Sequence, residues 1–212
     1  MDDYLQFLET HRKSAYDARH RYQAHIKDQL GRIEVAALNA KKIRAWLADL
    51  AKAPPRLRTK PGEEQKHAKL GKDEEAKRRR KASANRTLTI LKAALNRAFR
   101  EGHVGSNAEW HRVEPFENVD AARVRYLTLP EAKRLINACA PGFRQLVQGA
   151  LETGARYGEL TRLTVHDFNP DAGTVAVWQS KTGRPRHIVL TDEARAFFGQ
   201  FCAGRPGDQL VF

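Results

Sequence analysis

The chain has 212 residues, 41% of them hydrophobic, a formal net charge of +13 and an isoelectric point near 10.0. The apolar fraction is enough for packed cores and excludes a disordered polyelectrolyte, and the length admits one large domain or two small ones. The charge exceeds what solubility requires and points to a polyanionic partner, either nucleic acid or an anionic membrane surface. No apolar run approaches the roughly 20 residues that span a bilayer and no signal peptide opens the chain, so the expectation is a soluble, intracellular protein. Cys139 and Cys202, the only cysteines, fall at apolar positions of expected helices and read as reduced core residues.

In chain order, Tyr4, Phe7 and Leu8 begin one apolar helical face, and a second helix runs from Tyr16 to Leu30 and stops at Gly31. A third spans Ala40 to Leu50, with Ile43, Trp46, Leu47 and Leu50 on its inner face. The segment from Lys52 to Arg86 holds 13 Lys or Arg against five Asp or Glu, several Pro and Gly, and almost no large apolar residues. It reads as a solvated loop or frayed helix inserted in the bundle, and its run Lys77, Arg78, Arg79, Arg80, Lys81 is suited to contact phosphates. Leu88, Leu91, Leu95 and Phe99 mark a fourth helix that Gly102 ends. Residues 1–110 are thus expected to form a helical bundle with a basic insertion at 52–86. From Asn107 the period is lost, and 111–125 read as a linker.

A second domain, 126–212, starts with Thr128 and Glu131 as a capping box for a helix with Ala132, Leu135, Ile136 and Cys139 inward. Pro141 and Gly142 break it. The next helix places Phe143, Leu146, Val147, Ala150 and Leu151 on one face and ends at Gly154. A short helix starts near Arg156 or Tyr157, with Leu160 and Leu163 buried, so Arg156 lies where free N–H groups would favour an anion. Asp167 and Phe168 lead into a turn, Thr174–Trp178 and His187–Leu190 alternate as strands, and SKTGRPR forms the hairpin tip between them. Thr191 or Asp192 caps a last helix with Phe197, Phe198 and Phe201 inward. The fold class expected is mainly α with a small antiparallel β-sheet: a helical bundle followed by a mixed α+β domain.

The octapeptide TGARYGEL at 153–160, followed by Leu163, resembles the first arginine box of the tyrosine recombinases, the phage integrase family of site-specific DNA recombinases. SKTGRPRHIVL is similar to the hairpin on which that family keeps its catalytic lysine, and the preceding bundle resembles the family's core-binding domain. The resemblance implies an enzyme whose tyrosine attacks a DNA phosphate to leave a 3′-phosphotyrosyl bond and a free 5′-hydroxyl, with no metal or other cofactor. Cations must then neutralise the charge that grows on phosphorus. The resemblance gives that work to Arg156, through its two-pronged fork. Glu159 would orient the site, and Lys181 would protonate the leaving 5′-oxygen, which arginine with its very high pKa does poorly. The other residues expected to meet DNA are Lys77 to Lys81, Arg184 and Arg186. Double-stranded DNA is the partner implied, with self-association on it, no membrane partner, and a cytoplasmic, nucleoid-associated location.

Other readings stay open at this level. Arg156 could simply pair with Glu159 across one helical turn. Arg184 and Arg186 compete with Lys181 for the hairpin role, and Lys181 could be a plain turn lysine. His166 and His187 lack ligand spacing for a metal. The family's second box, His-x-x-Arg, and its nucleophilic tyrosine are not found before Phe212, and none of Tyr4, Tyr16, Tyr22, Tyr126 and Tyr157 occupies the tyrosine's place. The chain is therefore expected to be a C-terminally incomplete recombinase, inactive alone. The alternative is a non-catalytic DNA-binding protein or regulator derived from one.

Overall fold

The computed structural model describes residues 1–60, 62–120, 125–179 and 183–212. Lys181, the hairpin lysine, lies outside them. The chain divides into two compact units, Met1–Arg123 and Val124–Phe212.

The first unit is helical. Helix α1 (Asp2–His11) is followed by α2 (Ala15–Arg21), a π turn at Tyr22–Ile26 and α3 (Lys27–Leu30), which together make the expected second helix. Gly31 ends it by close approach, because a Cβ there would lie 2.5 Å from the Lys27 carbonyl oxygen. Asn39 caps α4 (Ala40–Lys52) by accepting from the Lys42 N–H at 2.9 Å. The face that the sequence spacing marks, Ile43, Trp46, Leu47 and Leu50, is buried. It packs with Ile26, Leu30, Leu88, Leu91 and Leu95 in one core, and the Trp46 indole donates to the His25 carbonyl at 2.9 Å.

Two expectations change here. The basic run is in neither a loop nor a frayed helix end: α5 extends over Glu74–Arg100, with Asp73 as N-cap and Glu74 and Glu75 in its first turn. These carboxylates suit the positive end of a helix and start it three residues before the run. Nor are residues 111–119 a free linker. After α6 (Ala108–His111), Trp110, Val113 and Val119 are buried against the bundle. The strap has no period because after the single turn of α6 it follows no regular element and inserts its apolar residues one at a time. Polar side chains of α5 satisfy its backbone: Asn85 accepts from the Phe116 N–H at 2.9 Å and donates to the Phe116 carbonyl at 2.8 Å, and Lys92 donates to the Val113 carbonyl at 3.0 Å. Asn96 accepts from the Trp110 indole at 2.7 Å.

In the second unit, α7 (Leu129–Ala138) carries the full Thr128–Glu131 capping box, and α8 (Pro141–Thr153) ends at Gly154 with φ of 62°, a left-handed cap that glycine adopts without strain. Helix α9 (Tyr157–Leu160) is one turn, with Leu160 and Leu163 buried. Strands β1 (Phe168–Asn169), β2 (Thr174–Val177) and β3 (Arg186–Val189) form an antiparallel sheet in that order, with Phe168 opposite Val175 and Val177 opposite Arg186. Thr191 caps α10 (Asp192–Cys202), whose Phe197 and Phe198 meet Leu163, Phe168, Val175 and Val211 in the core. The mainly α fold with a small antiparallel sheet is as expected. The faces of α7 and α8 are less covered than their period suggests: Leu135, Phe143 and Leu151 are exposed, and Ala132, Ile136 and Cys139 only half-buried. Periodicity tells which residues share a face, not whether another element lies on it.

Candidate active site and basic helix

The left-handed turn at Gly154 reverses the chain after α8 and leaves Arg156 at the N-cap of α9. One turn of helix has too little dipole to favour an anion, so the positive potential here comes from side chains instead. Glu159, three residues on, bends back: its Oε2 accepts from the Arg156 backbone N–H at 2.8 Å and its Oε1 from Arg156 Nη1 at 2.9 Å. The same carboxylate receives Arg186 from the start of β3, with Nη1 to Oε1 at 3.0 Å and Nη2 to Oε2 at 2.8 Å. Four donors occupy the roughly four acceptor sites that an ionised carboxylate has.

Burial separates the three side chains. Glu159 is 3% exposed, Arg186 37% and Arg156 55%. The carboxylate is an interior anchor, and Arg156 presents much of its guanidinium outward. Two cations on one anion leave the cluster with one net positive charge. The Arg186 hydrogen bonds, followed by those from Arg156, hold the Glu159 carboxyl down to about 2 against the burial that opposes them. A carboxyl lowered on folding adds stability that is complete above its unfolded value near 4.5 and is lost as pH falls toward 2. Glu159→Gln is accordingly expected to cost roughly 1–3 kcal/mol at pH 7 and to flatten the acid limb of urea-unfolding stability between pH 4.5 and 2. An acid limb identical to that of the unmodified chain would show that the pair contributes nothing.

Sequence spacing already pairs Arg156 with Glu159, and both the structural and the catalytic reading of that pair remain compatible with the geometry. The tie to Arg186, 27 residues from Glu159, left no local signal. Trp178 at the end of β2 is a second residue of the hairpin's root that the sequence did not single out. Its indole donates to Asp167 Oδ1 at 2.7 Å, while Asp167 Oδ2 accepts from the Thr164 N–H at 2.8 Å. Arg184 is exposed near the hairpin tip. Among the described residues no group of three His, Cys, Asp or Glu could hold a metal ion, and no helix is long and apolar enough to cross a membrane.

In the first unit the five cations of the basic run have different surroundings. Lys77 pairs with Glu74 at 2.7 Å, and Arg78 pairs with Glu75 and donates to the Val119 carbonyl. Arg79 and Lys81 are exposed, with the Lys81 ammonium 5.7 Å from the Phe116 ring centroid. Arg80 is buried, its Nη2 donating to the Leu50 carbonyl at 2.8 Å, and that burial lowers its pKa. The helical turn explains the difference. Arg80 shares the inner face with Ala76, Ala84 and Thr87, while Lys77, Arg79 and Lys81 point out.

Residues 125–212 match the family model described as the phage integrase family. Tyrosine recombinase XerA of Saccharolobus solfataricus is 25% identical over 99 residues, which are 46% of this chain and 34% of that protein. Among solved structures, a lambda integrase tetramer bound to a Holliday junction superposes with a TM-score of 0.67 at 21% identity, covering 94% of this chain and 53% of the other. The Tn1549 transposon integrase in complex with transposon right end DNA gives 0.62 at 14% identity, covering 93% and 62%. The chain thus spans about a third of the curated relative and about half of the lambda integrase chain. Residues 125–212 are thus similar to the phage integrase family.

Proposed function

We propose that the chain binds double-stranded DNA and contributes part of a tyrosine recombinase active site, in which Arg156 holds the scissile phosphate, Glu159 fixes Arg156, and Lys181 serves as general acid. The observation that carries this reading is the contrast within one cluster. A carboxylate 3% exposed is saturated by two guanidiniums, yet Arg156 stays 55% exposed with its charge only partly matched. With Arg186 satisfying half of the buried carboxylate, the Arg156 guanidinium spends only one Nη atom inward and keeps its other donors for an external anion. In the reaction, a tyrosine hydroxyl gives up its proton to water as its oxygen bonds to phosphorus, the bond from phosphorus to the 5′-oxygen breaks, and the 5′-oxygen takes a proton from Lys181. Arg156 faces the charge on the nonbridging oxygens during that exchange. The 212 residues hold no His-x-x-Arg after Lys181 and no tyrosine after Tyr157, so alone they are expected to form no covalent DNA adduct. Relatives whose structures hold DNA, one as a tetramer, support duplex DNA as the partner and self-association on it.

Arg79 and Lys81 are the members of the basic run placed to reach phosphates, and Arg184 is the exposed cation near the hairpin tip. Such contacts position a duplex without reading its bases. Titrating the 212-residue chain with a duplex of arbitrary sequence between about 50 and 200 mM salt tests this. The affinity should fall with a log–log slope of roughly 0.9 per phosphate neutralised, and Arg79→Ala and Lys81→Ala should each reduce the slope by about one. Arg80→Met should leave the slope alone, because its charge is spent on the Leu50 carbonyl inside the bundle. A flat salt response would overturn the proposal.

A further inference from the structure

Arg186 stands at the foot of the hairpin that carries Lys181, yet both of its Nη atoms are turned inward to Glu159. A cation meant only for DNA would not spend a complete two-pronged fork on a carboxylate of its own chain. Arg156, by contrast, uses Nη1 alone on the same carboxylate. Each residue makes two of the four bonds, but one of Arg156's comes from its backbone N–H, so the two guanidiniums divide the anion unequally. The more exposed one receives the smaller share.

We propose that Arg186 is a positioning residue for Arg156: its fork fills one side of the Glu159 carboxylate, so that Arg156 is steered by a single Nη1 contact and keeps the remainder of its guanidinium for a phosphate. This rests on the reading of Arg156 as a phosphate ligand. The physical argument is one of competition. Glu159 is buried and ionised, and a buried carboxylate that loses two of four donors seeks replacements from whatever lies nearest. Arg156 is already in contact through its backbone N–H and Nη1, 2.8 and 2.9 Å away. Without the Arg186 fork, the carboxylate would draw the Arg156 guanidinium from an end-on contact into a side-on one and turn its outward donors away from solvent. The same fork ties β3, and with it the base of the hairpin, to α9, so that the two segments that the proposed mechanism uses share one anchor.

Lysine separates this from a simple effect of charge. Arg186→Lys keeps the positive charge and gives up the planar fork, and Glu159→Gln removes a negative charge from beside Arg156. Were charge all that mattered, phosphate binding would be unchanged in the first variant and tighter in the second. Were Arg186 a positioning residue, both would weaken it. The experiment uses the 212-residue chain, with inorganic phosphate as the probe, followed through the Arg156 Nε–H resonance, which is identified by its loss in Arg156→Lys. The expected result is that phosphate moves this resonance in the unmodified chain, and that Arg186→Lys and Glu159→Gln each weaken the apparent affinity by roughly 3–10-fold, the equivalent of about 1 kcal/mol. Far-ultraviolet circular dichroism and the urea midpoint, recorded on each variant, show whether it is folded. Arg186→Lys binding phosphate as the unmodified chain does, or Glu159→Gln binding it more tightly, overturns the positioning role while leaving Arg156 as the ligand. If phosphate does not move the Arg156 resonance in the unmodified chain, the phosphate reading of Arg156 fails, and the positioning role with it.

Discussion

In a polypeptide that joins these 212 residues to a segment bearing His-x-x-Arg and a tyrosine, Arg156→Ala is expected to slow DNA strand cleavage by about 10²–10³-fold and to slow rejoining as much. Both directions would pass through the same five-coordinate phosphorus, and the proposed contact of the guanidinium is with its nonbridging oxygens, so neither direction should be spared. Lys181→Ala should behave differently. Its proposed task is to give a proton to the departing 5′-oxygen, for which an ammonium is better suited than a guanidinium, which holds its proton far more tightly. A substrate with sulfur at the 5′-bridging position leaves as a thiolate and needs no proton. On that substrate Lys181→Ala should cleave at close to the unmodified rate, while Arg156→Ala stays slow. Single-turnover cleavage of the two substrates by the two variants measures this directly. Rescue of Arg156→Ala with no rescue of Lys181→Ala would reverse the assigned roles, and no effect of either substitution would remove both residues from the chemistry.

Much of this site was legible because its parts are local. The octapeptide 153–160 contains Arg156, the Glu159 that bends back to it, and the Gly154 whose left-handed backbone sets up the turn. Caps were readable for the same reason: Thr128 and Glu131 are three residues apart, and Thr191 precedes the first helical position of α10. What failed to show was non-local. Arg186 looked like a hairpin cation because nothing near it in sequence announces Glu159. The basic run looked like a loop because composition was averaged over 52–86, which conceals that Pro and Gly cluster before Asp73 and that good helix formers follow it. Arg80 shows the limit of counting charges, since a charge run on a helix turns one of its members inward every few residues. The strap at 108–119 has neither period 2 nor period 3.6, and a pattern search has nothing to find there.

The strap leads to the largest expected effect on stability. Trp110→Ala should lower the unfolding free energy of the first unit by about 3–5 kcal/mol. The Trp110 ring is buried in the core that α4 and α5 build, so truncation removes its apolar contacts and opens a cavity there. Truncation also strands Asn96 Oδ1, which accepts the indole N–H at 2.7 Å. Trp110→Phe separates the two contributions. It keeps most of the ring volume and loses only the hydrogen bond, so about 1–2 kcal/mol is expected. Urea unfolding, resolved by amide hydrogen exchange into residues of the first and second units, provides the measurement. In Trp110→Ala the protection of α5 amides such as Leu91 and Leu95 should drop, because the strap and α5 share one core and open together. Amides of β2 in the second unit have their own core and should keep their protection. A loss below about 0.5 kcal/mol, the range of ordinary surface substitutions, would mean that the strap merely lies on the bundle and that 111–119 are a linker after all.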